Sequence, residues 1–90
     1  MENFKSMFIN KEITIGSWIT FSDPAIAEIM AKSGFDWLVV DMEHSALSTN
    51  QAQEIIRIID LCGVVPLVRV MDHNPNVIKR FMDMGAHGVI

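Results

Sequence analysis

Three apolar runs in this 90-residue chain each end on a side chain able to do chemistry. Trp18 closes the first, in the stretch 13–20 (ITIGSWIT). Asp41-Met42-Glu43-His44 follows Trp37-Leu38-Val39-Val40, and Arg69 comes near the end of Val65-Pro66-Leu67-Val68-Arg69-Val70. Two acids and a histidine directly after a fully apolar run are costly to bury without a purpose. His44 is the candidate base, because an imidazole exchanges protons near neutrality and a carboxylate such as Asp41 can fix its tautomer and raise its basicity. The same residues admit a structural reading, in which Asp41 or Glu43 accepts backbone N–H groups in a turn and His44 stands in solvent. The Arg69 guanidinium is suited to a carboxylate or an enolate oxygen through charge-assisted contacts. Its structural counterpart is a salt bridge to Asp41 or Glu43, and both roles are compatible. Trp18 reads either as the apolar wall of a pocket or as plain packing.

Other reactive residue types are placed less well. Lys5, Lys11, Lys32 and Lys79 fall in the N-terminal stretch or in helical segments, so none stands at a strand end where it would form a Schiff base with a ketone. His73 and His87 lack a recognisable ligand spacing and read as structural. Cys62 has no cysteine partner and closes a helical apolar pattern, the setting of a small buried hydrophobe. Gly34, Gly63 and Gly85 are isolated helix stops and form no phosphate-binding loop.

These positions are informative only if something holds them together, and the chain repeats one grammar that would. After the first β-branched run, Ser22-Asp23-Pro24 supplies a cap and a proline for a helix over 24–33, with Ile26, Ile29 and Met30 on its apolar face and Gly34 as stop. After the second run, Ser48 to Gln51 fits a capping box for a helix carrying Ile55, Ile56 and Ile59, closed by Gly63. After the third, Asn74-Pro75 opens a helix with Val77, Ile78, Phe81 and Met82 inward and Gly85 as stop. His87-Gly88-Val89-Ile90 then begins a fourth strand. Strand starts near 13, 37, 65 and 87 predict an α/β fold with a parallel sheet and right-handed helical crossovers. In such folds sites form where strands run out at their C-terminal ends, and neighbouring strands lie only ~4.8 Å apart, which would bring Trp18, Asp41, His44 and Arg69 to one patch. A complete (β/α)8 barrel takes ~250 residues, so residues 1–90 read as the N-terminal part of a single incomplete TIM barrel, with three β-α units and the start of strand four. A small doubly wound sheet is the rival, though it would leave a buried-type edge at Val89-Ile90 unpaired.

Composition narrows the class. Half the residues are hydrophobic and the net charge is -4, which suits a folded segment and gives no long-range attraction to nucleic acid or to an anionic membrane. No apolar run approaches the ~20 residues of a membrane helix, and the opening MENFKSMF lacks the pattern of a signal peptide, so a cytoplasmic protein is expected.

In order along the chain, GSW at 16–18, GFDWLVVDMEH at 34–44, PLVRV at 66–70 and GAHGVI at 85–90 resemble the HpcH/HpaI aldolase family. Its members include 4-hydroxy-2-oxoheptanedioate and 2-dehydro-3-deoxyglucarate aldolases. The resemblance implies a (β/α)8 barrel, commonly a homo-oligomer (a hexamer), that acts on a small 2-oxo acid and an aldehyde and uses a divalent metal such as Mg, Mn or Co to stabilise a pyruvate enolate. Carried over by residue, it implies His44 as catalytic base, Asp41 as its hydrogen-bonded partner, Arg69 as catalytic and substrate-binding through the pyruvate oxygen, Trp18 as a substrate-pocket wall and Glu43 in support. The metal ligands it implies lie beyond residue 90. By the same resemblance the expected activity is retro-aldol cleavage of a 4-hydroxy-2-oxo acid; the isolated 90 residues are expected to be nearly inactive and poorly folded, since an open half-barrel exposes apolar strand faces and edges. A citrate-lyase-like enzyme of CoA thioesters and a non-catalytic fragment or partner subunit are the alternatives.

Overall fold

A computed structural model describes residues 13–90; Lys5 and Lys11 lie outside them. The described chain alternates strand and helix: β1 (Gly16–Ile19), α1 (Pro24–Ala31), β2 (Trp37–Asp41), α2 (Thr49–Leu61), β3 (Val65–Arg69), α3 (Pro75–Asp83) and β4 (Gly88–Val89). The strands form one parallel sheet, as the repeating grammar predicts, and their order β1-β2-β3-β4 is sequential.

Helix starts follow the caps written in the sequence. Ser48 Oγ accepts the Gln51 N–H at 3.2 Å while Gln51 Oε1 accepts the Ser48 N–H at 2.9 Å, a reciprocal capping box that satisfies two of the backbone donors a helix start leaves open. Asp23 and Asn74 accept from the amides two residues on, each with a proline in the first helical turn. At the far end of α2 the chain turns through Gly63 at φ +79°, a conformation that costs a residue with a Cβ but not glycine.

Side-chain alternation sorts the sheet into two faces. Ile19, Leu38, Val40 and Val68 join Ile55, Ile56 and Ile59 of α2 and Phe81 of α3 in the main core, which places the helices on one face. Val39, Val65 and Leu67, with Trp37 against them, form a second, smaller apolar cluster. Trp18, Asp41 and Arg69 share the alternation phase of this second set, because Trp18 pairs with Val39 and Asp41 pairs with Arg69 in the parallel register.

Two helix faces differ from the sequence reading. α1 ends at Ala31 and buries Ala27 and Ala31, leaving Ile26 45% and Ile29 66% exposed, while Met30 is partly buried against the core. Alanines four residues apart let a short helix lie close to its neighbours, and that close approach sets its rotation. In α3, Phe81 is buried and Val77 and Ile78 are half-buried, but Met82 points outward. Cys62 is half-buried at the end of α2 and packs on the core. β4 is two residues long, yet pairing continues on both sides of it, since Pro66 O accepts the His87 N–H and Val68 O accepts the Ile90 N–H, both at 2.8 Å.

The second face also fixes a tight spot. A Cβ at Gly16 would sit 1.9 Å from the Trp37 indole, whose Nε1–H reaches Thr14 Oγ1 at 3.4 Å. Gly16→Ala is therefore expected to lower stability by about 2–3 kcal/mol through overpacking, measured by denaturant unfolding of protein from the complete reading frame; an unchanged midpoint would show that Trp37 yields freely.

Candidate active site

Parallel register does the positioning. Asp41 ends β2 and Arg69 ends β3 directly opposite it, so the two side chains leave neighbouring strands side by side. Arg69 donates from Nε to Asp41 Oδ1 at 3.1 Å and from Nη2 to Oδ2 at 2.5 Å, a two-pronged fork against a carboxylate that is almost fully buried. The chain then bends sharply. Asp41 Oδ1 also accepts the backbone N–H of Glu43 at 2.9 Å and of His44 at 3.0 Å, while the Ser45 hydroxyl donates to the Asp41 backbone oxygen. Asp41 thereby locks the loop that carries Glu43 and His44 to the strand that carries Arg69.

These contacts set the charge state. Hydrogen bonding from Arg69 holds the Asp41 carboxyl down at about 2 from an ordinary 3.8, aided by the two backbone amides and opposed by burial. Asp41 in turn pushes the Arg69 pKa up. Because the folded value lies below the unfolded one, the stabilisation, on the order of 2 kcal/mol, is complete above pH ~4 and is lost as pH falls through about 2. A carbon-13 titration of the Asp41 carboxyl should accordingly show its midpoint near 2. A midpoint at the ordinary 3.8 would mean that the fork does not persist in solution.

The remaining residues gather round this pair. The Trp18 ring lies under the guanidinium, with Arg69 Cζ 4.4 Å from the ring centroid. The His44 imidazole projects into solvent, and its Nε2 lies 2.9 Å from Glu43 Oε1, which is itself 4.0 Å from Arg69 Nε. Trp18, Asp41, Glu43, His44 and Arg69 thus form one continuous cluster at the C-terminal ends of β1, β2 and β3. Within it the backbone follows the structural reading of the sequence, a turn whose amides Asp41 accepts with His44 in solvent, while the imidazole's carboxylate partner differs from the one the resemblance implied. Asp41 reaches the backbone amide of His44, and Glu43 is the carboxylate at the imidazole, because the strand phase commits Asp41 to Arg69 across the register. Glu43 carried a signal in its adjacency to His44, but only the bend after β2 turns the two neighbouring side chains together.

His87 and His73 stay apart from the cluster. His87 lies before β4, with its Nε2 3.4 Å from Asp60 Oδ1 of α2, and His73 is exposed between β3 and α3. Among the described residues no group of three or more His, Cys, Asp or Glu side chains could hold a metal ion. The cluster's donor set agrees, since the Asp41 carboxylate is already engaged by four donors. No helix among the described residues is long and apolar enough to cross a membrane. Chemically, the patch offers a solvent-facing base beside a fixed cation, the pairing needed to move a proton and steady the anion that results.

Known proteins share this arrangement of strands and helices. A crystal structure of the citrate synthase SbnG superposes with a TM-score of 0.89 at 31% identity, covering 97% of this chain and 36% of that one. An HpcH/HpaI aldolase from Desulfitobacterium hafniense DCB-2 gives 0.87 at 26% identity, over 99% of this chain and 35% of that one. Among curated relatives, a 2-dehydro-3,6-dideoxy-6-sulfogluconate aldolase of Pseudomonas putida is 33% identical over 93% of this chain and 33% of its own length. A 5-keto-4-deoxy-D-glucarate aldolase of Escherichia coli O139:H28 is 32% identical over 97% of this chain and 34% of its own. The chain thus spans about a third of the length of the relatives it matches. With the family's sequence model matching residues 14–90, the chain belongs to the HpcH/HpaI aldolase/citrate lyase family.

Proposed function

We propose that these residues are the opening β-α units of a (β/α)8 barrel whose complete protein is a divalent-metal-dependent pyruvate aldolase, cleaving a 4-hydroxy-2-oxo acid to pyruvate and an aldehyde. The observation that carries this reading is the Asp41–Arg69 fork beside His44 at the C-terminal ends of adjacent parallel strands. In the cleavage direction His44 accepts the proton of the C4 hydroxyl, the C3–C4 bond breaks, and its electron pair passes into an enolate whose oxygen Arg69 receives. Asp41 keeps Arg69 ionised and oriented, and Glu43 orients the imidazole. In the reverse direction the same groups serve enolate addition to the aldehyde.

A metal, whether magnesium, manganese or cobalt, supplies Lewis-acid polarisation of a keto acid when bound. Its ligands in this proposal come from residues outside the described ones. A homo-oligomer acting on small molecules in the cytoplasm completes the reading.

The test is pyruvate release from 4-hydroxy-2-oxo acids of varied chain length by the complete protein, followed through lactate dehydrogenase with added metal and with a chelator. Turnover that the chelator abolishes supports the proposal. No release from any such acid by folded, metal-supplied protein overturns it. The likeness to a citrate synthase favours a second reading, a citrate-type enzyme acting on a CoA thioester. CoA-dependent turnover in place of aldol cleavage would select it.

A further inference from the structure

A guanidinium carries five N–H groups, and Asp41 engages one on Nε and one on Nη2 of Arg69. That fork fixes the in-plane direction of the group but leaves it able to rock about the edge it shares with the carboxylate. The Trp18 indole closes one face at 4.4 Å, which opposes rocking and keeps water off that side. Trp18 is 40% exposed and lies outside the buried clusters of the core, so core packing does not account for a large aromatic at this position. The Arg69 side chain is 28% exposed, so part of the group remains open to a ligand.

We infer that Trp18 is a positioning residue for the reaction: by stacking under Arg69 it aims the guanidinium's unengaged N–H edge at the oxygen that becomes anionic on enolisation. The inference rests on the aldolase reading and deepens it, because it assigns to Trp18 a role in the charged transition state and not in general substrate contact. The distinction is measurable. A pocket wall contributes to substrate and transition state alike, so its loss raises KM. A residue that aims a cation at developing charge contributes chiefly to the transition state, so its loss lowers kcat and kcat/KM together.

The experiment uses protein from the complete reading frame with added manganese, and follows deuterium entry into the pyruvate methyl group in wild type, Trp18→Leu, Trp18→Phe, Arg69→Lys and the Trp18→Leu/Arg69→Lys pair. Trp18→Leu should lower kcat about fivefold to tenfold with KM within about twofold, and Trp18→Phe, which restores a ring face, should recover most of the loss. In the Arg69→Lys background Trp18→Leu should add less than about twofold, since both changes act through one group. A risen KM at unchanged kcat, or a full independent effect in that background, overturns the inference.

A second readout needs no turnover. The Arg69 Nε–H proton should resonate upfield in wild type under the indole ring current, and should move downfield and exchange faster with water in Trp18→Leu. Exchange activity in wild type with an Arg69 signal that Trp18→Leu leaves unmoved would sink the inference and leave the aldolase reading intact. No exchange in wild type, with the signal shifting as described, would sink the aldolase reading and leave the aiming of Arg69 by Trp18 standing.

Discussion

In protein from the complete reading frame, Arg69→Met should lower stability by about 3–5 kcal/mol at neutral pH, because it strands a buried carboxylate without its cation. The side chain lost is only partly buried, but the one left behind, Asp41, is 2% exposed and keeps just the two amides of Glu43 and His44. The pH dependence should reverse in sign. In the wild type Asp41 is held down at about 2, so acid removes stability as pH falls through that value. Without Arg69, burial is left to raise the Asp41 pKa against the two amides, so acid relieves the penalty by neutralising the stranded charge, and the variant should lose less relative to wild type at low pH than at pH 7. Asp41→Ala combined with Arg69→Met removes the stranded charge and should recover a good part of the loss. Chemical denaturation of the three proteins at two pH values checks this. An Arg69→Met variant within about 1 kcal/mol of wild type would mean that the pair behaves as an ordinary surface ion pair.

Under the proposed aldolase function, His44→Ala should reduce metal-dependent enolisation of pyruvate by about 10²–10⁴-fold while leaving stability nearly unchanged. The split between activity and stability follows from the geometry: the imidazole is 67% exposed and contributes little to packing, and the backbone N–H that Asp41 receives from His44 survives in alanine. Glu43→Gln is a milder change, since the amide oxygen still accepts from the imidazole while the charge is lost. It should cost about tenfold or less, in keeping with the difference between a charged and a neutral acceptor. Comparable losses of folding and activity in His44→Ala would instead assign the histidine to the architecture of the loop.

Much of this site is legible in the sequence because parallel β-α folds convert linear position into spatial position by few rules. Three apolar runs, each followed by a cap and an amphipathic stretch, suffice to place Trp18, Asp41 and Arg69 at one edge. Strand alternation and in-register pairing then make Asp41 and Arg69 neighbours. Ser48 and Gln51 announce their helix for the same reason: the capping box is a purely local arrangement.

What the sequence does not carry is set by tertiary geometry. The rotation of α1 depends on how closely it nests, so Ala27 and Ala31 displace Ile26 and Ile29 from the interior although the isoleucines have the stronger hydrophobic claim. The partner of His44 depends on the path of a bend and on a competition for Asp41 that Arg69 wins from the next strand. The cation resting on Trp18 depends on two strands that do not pair with each other, β1 and β3, and spacing alone contains no trace of it.

In the proposed function this cluster generates a pyruvate enolate. The most direct test is deuterium exchange into the methyl group of pyruvate by proton NMR, on protein from the complete reading frame with magnesium or manganese, a chelator control and His44→Ala beside it; no aldehyde need be guessed. Exchange should require the metal and vanish with His44, whereas folded, metal-supplied protein that leaves the methyl protons untouched would overturn the enolate mechanism.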